Sequence, residues 1–327
     1  MVQEDTCKVW LITGTSSGMG RRLVFAVLAR GDKVIATARS PVKLVDLVGN
    51  CDRLLRENLR TIALDVTEGR KSIEDKMHQA AGFWGRIDVL VNNAGIGYPG
   101  LVEEAGADLL RAQFEPNLFG LMDVTLAGLP YLRSQKGSTL IFVGSRSAWK
   151  TDLVGIGIYA ASKAAVHALA ESLTPELEPF GVRVLHVAPG SFRTEGMYSH
   201  GFHDKNRLAC YDDIRTAAEK RFASVPGTEK GDPVKGMEVV VDIVRGEGVA
   251  KGKPWPGLLV LGEDAERDIR KKCQATLEIL DNWGDVARSV NVMVAGESDP
   301  IIICRRTPGF STKVLVSFNT SSSARFT

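Results

Sequence analysis

The stretch Thr13-Gly14-Thr15-Ser16-Ser17-Gly18-Met19-Gly20 constrains this chain more than any other. It follows an apolar run, Val9 to Ile12, and precedes a helix-like segment, Arg21 to Ala29. Each of its three glycines has its own task. Gly14 permits a tight turn, Gly18 lets the backbone approach a pyrophosphate, and Gly20 lets the helix pack close to its strand. Free N–H groups at the helix start then face the phosphate charge, with Thr15, Ser16, Ser17 and Met19 completing the loop. A glycine triplet alone is weak evidence. Placed between strand and helix, it predicts a dinucleotide site.

Short apolar runs recur at Lys33–Ala38, Arg60–Leu64, Asp88–Asn92, Thr139–Gly144, Val182–Val187 and Leu258–Leu261. Continuous runs of this kind suit parallel strands covered on both faces. The longer segments between them supply crossover helices. The expected fold is α/β: one doubly wound parallel sheet with helices on both faces, its ligand at the carboxyl ends of the strands. The 327 residues suffice for one such domain, 1–262, plus an extension. Glu263–Asn282 reads as a charged amphipathic helix with Ile269, Cys273, Leu277 and Leu280 on one side, within an extension over 263–296. The polar tail, 297–327, is expected to be flexible.

Charge narrows the function. With 41 basic and 39 acidic residues the net charge is +2, which argues against a nucleic-acid partner. No apolar run is long enough to span a bilayer. Met1–Asp5 lacks the basic and apolar parts of a signal peptide. The five cysteines are scattered without a C-x-x-C, as in a reducing, cytoplasmic setting. His200, His203 and Asp204 have no further ligand at useful spacing and read as a solvated loop, so no metal is expected.

Three further signals sit where this fold needs them. An NAD(H)-selective site places Asp or Glu after the second strand, about 20 residues past the glycines, to hold the ribose 2′-hydroxyl. Here that strand ends Ala36-Thr37-Ala38-Arg39, while Asp32 precedes it and Asp46 lies in the next helix. Arg39 offers a planar donor fork to a 2′-phosphate, favouring NADP(H) over NAD(H); the alternative is a solvated surface arginine. Asn92-Asn93-Ala94-Gly95 ends the fourth strand. Its amides can satisfy backbone at the sheet edge, which makes Asn92, Ala94 and Gly95 candidates beside the cofactor, although Asn and Gly also form ordinary turns.

The third signal is Tyr159-Ala160-Ala161-Ser162-Lys163. Residues four apart share one helix face. A phenol titrates at about 10, too high for a base at neutral pH. A cation about 4 Å away contributes roughly 4 kcal/mol at an effective dielectric of about 20, or roughly three pH units. Desolvation opposes this. Tyr159 would then serve as acid in carbonyl reduction or base in alcohol oxidation. A packed tyrosine beside a surface lysine is the common alternative.

Together, T-G-x-x-x-G-x-G, N-N-A-G, Y-x-x-x-K and the later Pro189-Gly190 resemble, in order and approximate spacing, the short-chain dehydrogenase/reductase family over about residues 7–262. Val34–Arg39 resembles the retinol- and 17β-hydroxysteroid-dehydrogenase-like branch, and Gly144–Trp149 resembles fungal members. The resemblance implies a Rossmann-type fold and a tetrad of Asn, Ser, Tyr and Lys. Tyr159 and Lys163 match directly. Ser145 follows the fifth strand and would hold the substrate oxygen; Ser147 is its competitor. Asn117 matches the asparagine supporting a proton relay through water to the lysine. Pro116 replaces the usual aliphatic residue there and is expected to kink the helix. Asp65 matches an adenine contact, or else caps the following helix. Pro189, Gly190 and Thr194 match the segment beside the nicotinamide, with Thr194 on the carboxamide.

The expected activity is NADP(H)-dependent interconversion of a ketone or aldehyde and an alcohol. Residues 191–235 form a long excursion at the site's edge, the usual place of a lid. Its Phe192, Met197, Tyr198, Phe202 and Tyr211 suggest a medium-sized, largely apolar small molecule of lipid, steroid, retinoid or polyketide type. A catalytically silent NADP-binding or redox-sensing protein is the rival, opposed by the intact Tyr159/Lys163 pair. An epimerase or dehydratase with T-G-x-x-G-x-x-G spacing does not fit this loop. Family members pair through two long helices, here about 103–133 and 157–179, and many pair again around the last strand. An extension over that strand would leave a homodimer or a monomer.

Overall fold

The apolar runs become strands. The computed structural model describes residues 7–195 and 200–291. Seven strands, β1 Val9–Ile12, β2 Lys33–Ala38, β3 Leu59–Ala63, β4 Val89–Asn92, β5 Thr139–Val143, β6 Arg183–Pro189 and β7 Leu258–Leu261, form one sheet. Their order is β3-β2-β1-β4-β5-β6-β7, and every neighbouring pair is parallel. The order reverses at β1, so a crevice opens where the strands β1 and β4 end, the usual ligand position in such sheets.

Side chains alternate along each strand, and β1 feeds two cores. Val9 and Leu11 join the cluster under α3 (Arg70–Gly82), α5 (Gly120–Arg133) and α6 (Gly157–Leu177). Trp10 and Ile12 join the opposite cluster under α1 (Gly18–Ala29), α2 (Pro41–Gly49) and α8 (Pro233–Arg245). Asp32, too early in the chain for a ribose contact, is a buried staple: it accepts from Trp10 Nε1 at 3.0 Å and Lys8 N at 2.9 Å and pairs with Arg245 at 2.7 Å.

The helix expected over 103–133 is two helices, α4 (Val102–Phe114) and α5, joined by a π-helical turn at Glu115–Phe119. Pro116 lacks the N–H that a continuous α-helix needs there, so the predicted kink takes the form of a wide turn. After β6, α7 (Asp212–Ala223) stands over the site's edge, tied to α4 by a buried bidentate pair of Arg215 with Glu104.

The chain divides into two compact units, one through Ala275 and one from Thr276 on. The C-terminal helix α9 runs Glu263–Arg288, six residues further than its charge pattern indicated. Of the expected apolar side only Ile269 is half-buried; Cys273, Leu277 and Leu280 are exposed, and the buried residues of the helix are Ala265 and Asp268. The expectation of a flexible tail over 297–327 falls outside the described residues. Among the described residues no helix is long and apolar enough to cross a membrane.

Candidate active site

The glycine loop is built by close approach. A Cβ on Gly14, whose φ is +70°, would lie 2.8 Å from Ala94 Cα, and one on Gly20 would lie 2.4 Å from Asn93 Nδ2 and 2.5 Å from Gly14 O. Both positions therefore exclude a side chain. Asn93 ties the loop down, its Nδ2 donating to Thr13 O at 2.8 Å and Gly14 O at 3.1 Å. Thr13 Oγ1 accepts from the N–H groups of Asn93 and Ala94, both at 3.0 Å. Thr15 is buried, with its N–H and hydroxyl both on Thr37 O, which fixes the loop to the end of β2. Ser16, Ser17, Gly18 and Met19 remain half-buried along the crevice.

The loop already holds an anion. The Glu195 carboxylate accepts from Gly18 N at 3.0 Å and from Arg22 Nη1 at 2.7 Å. The guanidinium of Arg22 holds this carboxyl at about 2, far below its ordinary value. A helix start that binds a carboxylate through a backbone N–H has the donor set a phosphate requires. Thr194 stands 3.8 Å from the position a Gly18 Cβ would take. Arg39, at the end of β2, is exposed and pairs with no carboxylate among the described residues.

Asn92 and Asn117 serve backbone and helix packing. The Asn92 amide is buried and donates to Thr125 Oγ1 at 2.8 Å, locking β4 to α5. Asn117, held by the π-helical turn, donates through Nδ2 to Ile96 O at 2.9 Å and Ser162 Oγ at 3.1 Å, and its Oδ1 accepts from Ile96 N at 2.8 Å. It thereby clamps the segment leaving Gly95, where an added Cβ would meet Asn117 Oδ1 at 3.2 Å and Lys163 Nζ at 3.5 Å. The N-N-A-G turn, Asn117 and Lys163 thus converge on one point. Asp65 does not cap the following helix, which starts at Arg70 behind Gly69; its Oδ1 closes a short turn instead, accepting from Thr67 N at 3.0 Å and Thr67 Oγ1 at 2.8 Å.

Tyr159 and Lys163 lie one turn apart on α6. Lys163 is buried, its Nζ donating to Val143 O at 2.9 Å and standing 5.9 Å from the Tyr159 ring centroid. Burial lowers this ammonium from 10.5 to about 8, so it remains mostly charged at neutral pH. Ser145 caps the turn Arg146–Ala148, accepting from Ser147 N at 3.0 Å. That bond uses a lone pair and leaves the Ser145 hydroxyl proton for another acceptor. Both serines, Tyr159, Pro189, Gly190 and Thr194 line one cavity of about 350 Å³.

Sequence reasoning passed over His186 on β6. It is buried, and neither ring nitrogen has a partner among the described residues. Burial, then the charges of His167 and Lys163, push it down to about 3, so it is neutral. It stacks on His167 with ring centroids 4.5 Å apart, beneath the strand end that carries Gly144 and Ser145. Nothing in an apolar strand pattern marks such a histidine. Glu195 and Arg22 were also missed, being 173 residues apart in the chain.

The short chain dehydrogenase profile matches residues 8–202. Oxidoreductase BOA17 of Botryotinia fuckeliana is 37% identical over 280 residues, covering 86% of this chain and 98% of its own. Among solved structures, a short-chain dehydrogenase from Streptomyces avermitilis superposes with a TM-score of 0.75 at 32% identity, covering 88% of this chain and all of its own. A serine dehydrogenase in its closed form with NADP+ superposes at 0.62 with 26% identity, covering 77% and 94%. Neighbours of this fold carry NADP or NAD. The sheet order, the glycine loop and these matches agree: the chain belongs to the short-chain dehydrogenase/reductase family of oxidoreductases.

Proposed function

We propose that this oxidoreductase uses NADP(H) to interconvert a ketone or aldehyde and an alcohol on a medium-sized, largely apolar small molecule. The observation that carries the reading is the buried Lys163 one helical turn from Tyr159 on the cavity wall that also presents Ser145. The residues fit a dinucleotide: the cradle excludes side chains at Gly14 and Gly20, a carboxylate already sits on Gly18 N–H, and Arg39, which has no carboxylate partner among the described residues, can take a 2′-phosphate. When bound, the nicotinamide supplies or accepts the hydride.

The rest is done by this chain. Ser145 donates its hydroxyl proton to the substrate oxygen and orients it. Tyr159 passes its phenolic proton to that oxygen in reduction and takes it back in oxidation. Lys163 stabilises the phenolate through space and holds the nicotinamide ribose. Asn117 keeps the 95–96 backbone in place beside the Lys163 ammonium. Thr194, Pro189 and Gly190 bound the nicotinamide end, Asn92, Ala94 and Gly95 the floor, and Asp65 the adenine end. Residues 191–235 set substrate preference, and the chain acts as a homodimer or monomer, which light scattering measures.

The test is a panel of carbonyl and hydroxy compounds assayed for NADPH consumption or NADP+ reduction. Turnover that disappears in Tyr159→Phe with cofactor binding retained is the expected result. No turnover across the panel, or a fully active variant, defeats the reading.

A further inference from the structure

The cavity wall has a chemical asymmetry that hydride and proton transfer do not use. Beside its apolar residues, among them Leu153, Ile156, Phe222 and Val225, it presents Arg146, Lys150, Arg221 and Arg267 and, among the described residues, no carboxylate. The acids behind the wall are shared out. Asp268 serves Arg146 at 2.5 Å, Arg267 at 3.6 Å and Lys150 at 3.9 Å. Asp264 accepts from Ser191 N and pairs with Arg146, each at 2.9 Å. Asp152 pairs with Lys150 at 3.0 Å.

Arg221 has no acid among the described residues. Its Nη2 donates to the Val154 carbonyl, and its guanidinium carbon lies 5.7 Å from the Phe222 ring centroid. A cation in the last turn of α7 gains a little from the helix dipole wherever it points. That does not account for its place on a cavity wall whose three other cations each have an acid, while Arg221 has none among the described residues.

We propose that this wall binds an acidic group, a carboxylate or phosphate, at one end of an otherwise apolar carbonyl substrate, with Arg221 as its principal partner and Lys150 as the second cation. The proposal rests on the reading of this cavity as a carbonyl-reduction site. Arg221 supplies a planar fork that matches either oxyanion in two parallel bonds. Low-dielectric walls strengthen attraction to a group entering the cleft. An uncharged ester or alcohol in the same place leaves Arg221 without a counter-charge, so selectivity falls on charge more than on shape.

The experiment uses three matched ketones: para-acetylbenzoate, its methyl ester, and para-acetylphenyl phosphate. Each is titrated calorimetrically into the cofactor-loaded full chain and assayed for cofactor oxidation. At least one anion is expected to bind about tenfold or more tightly than the ester, a difference of about 1.4 kcal/mol. Arg221→Gln brings the ratio close to one, and Arg221→Lys, which keeps the charge but not the fork, restores part of it. The better anion identifies carboxylate or phosphate as the chemistry. Equal binding of ester and anions, no binding by any of the three, or a ratio unchanged in Arg221→Gln overturns the proposal. Arg221-dependent anion binding without oxidation of cofactor by any ketone supports the subsite and defeats the reductase reading. Oxidation with no charge preference does the reverse.

Discussion

The Glu195 carboxylate accepts the backbone N–H of Gly18 at 3.0 Å, at the start of the helix where a dinucleotide's pyrophosphate is expected. Arg22 holds the same carboxylate with both terminal nitrogens. The side chain is therefore a competitor for phosphate that the chain carries itself. Glu195→Gln is expected to tighten NADPH binding several-fold, since a neutral amide attracts the helix start and Arg22 less. The carboxyl is held at about 2, so it stays ionised at neutral pH and the competition does not ease with mild acidification. Fluorescence titration of NADPH into both proteins measures the effect. Unchanged or weaker binding in the variant would mean that Glu195 and the pyrophosphate occupy different places.

Arg39 sets the cofactor prediction. It directly follows β2 and has no acidic partner among the described residues. NADP(H) is expected to bind more tightly than NAD(H), and Arg39→Ala to weaken NADPH roughly tenfold, about 1.4 kcal/mol, with little change for NADH. The 2′-phosphate is the sole difference between the two ligands. A loss shared equally by both would assign Arg39 to the ribose or adenine instead.

Tyr159→Phe removes a proton and little volume, so turnover should vanish while cofactor affinity stays within about twofold. The serine question follows the same logic. Ser145→Ala removes the hydroxyl that caps the turn at Ser147 and faces the cavity, and most of kcat should go with it. Ser147→Ala keeps that capping oxygen, and activity should survive. The reverse pattern would move the role to Ser147.

Much of this site was legible because its constraints are local. Gly14 and Gly20 are fixed by contacts that any side chain would violate, and Y-x-x-x-K fixes a shared helix face. Choosing between Asn92 and Asn93 required the strand's register. The two amides are adjacent, but one turns into the core toward Thr125 and the other ties the loop. Pairings between distant segments left no local trace. Arg215 and Glu104 are 111 residues apart, and only the folded chain brings α7 to α4. Asp65 closes a short turn on Thr67, whereas the sequence suggests an adenine contact or a cap on the following helix; that helix begins later, behind Gly69.

Lys163 links the site to stability. Its ordinary value of 10.5 falls to about 8 on burial, so the folded chain releases this proton earlier than the unfolded chain. Below about 8 both states are protonated, and the folded state bears the full cost of a buried ammonium. Between about 8 and 10.5 the unfolded chain binds more protons at this group, so its contribution to stability rises with pH. The gap, at about 1.36 kcal/mol per pH unit, is of order 3 kcal/mol. Lys163→Met is therefore expected to be inactive but more stable at neutral pH, by about 1–3 kcal/mol once the lost bond to Val143 O is counted. Denaturant unfolding of both proteins at neutral pH and near 10.5 tests the sign. A variant less stable than the parent at neutral pH would show that the bond to Val143 outweighs the desolvation.

Gly144 and His186 give a prediction about packing behind the catalytic wall. A Cβ on Gly144 would lie 2.1 Å from His186 Nε2, and Gly144 cannot move away because its N–H donates to Val187 O at 2.8 Å. The imidazole is buried and stacked on His167, so it has no free direction either. Gly144→Ala should thus overpack the strand end, costing about 1–3 kcal/mol. It should also lower kcat, because the displaced backbone lies between Val143 O, which holds Lys163, and Ser145. His186→Ala opens space under the same atom. In that background Gly144→Ala should cost little, giving a coupling of about 1 kcal/mol or more in a double-mutant cycle. Recovery of kcat in the double variant, relative to Gly144→Ala alone, would show that the clash acts through the position of this strand end. Additive stability losses would mean that the strand relaxes elsewhere and that His186 does not determine the glycine.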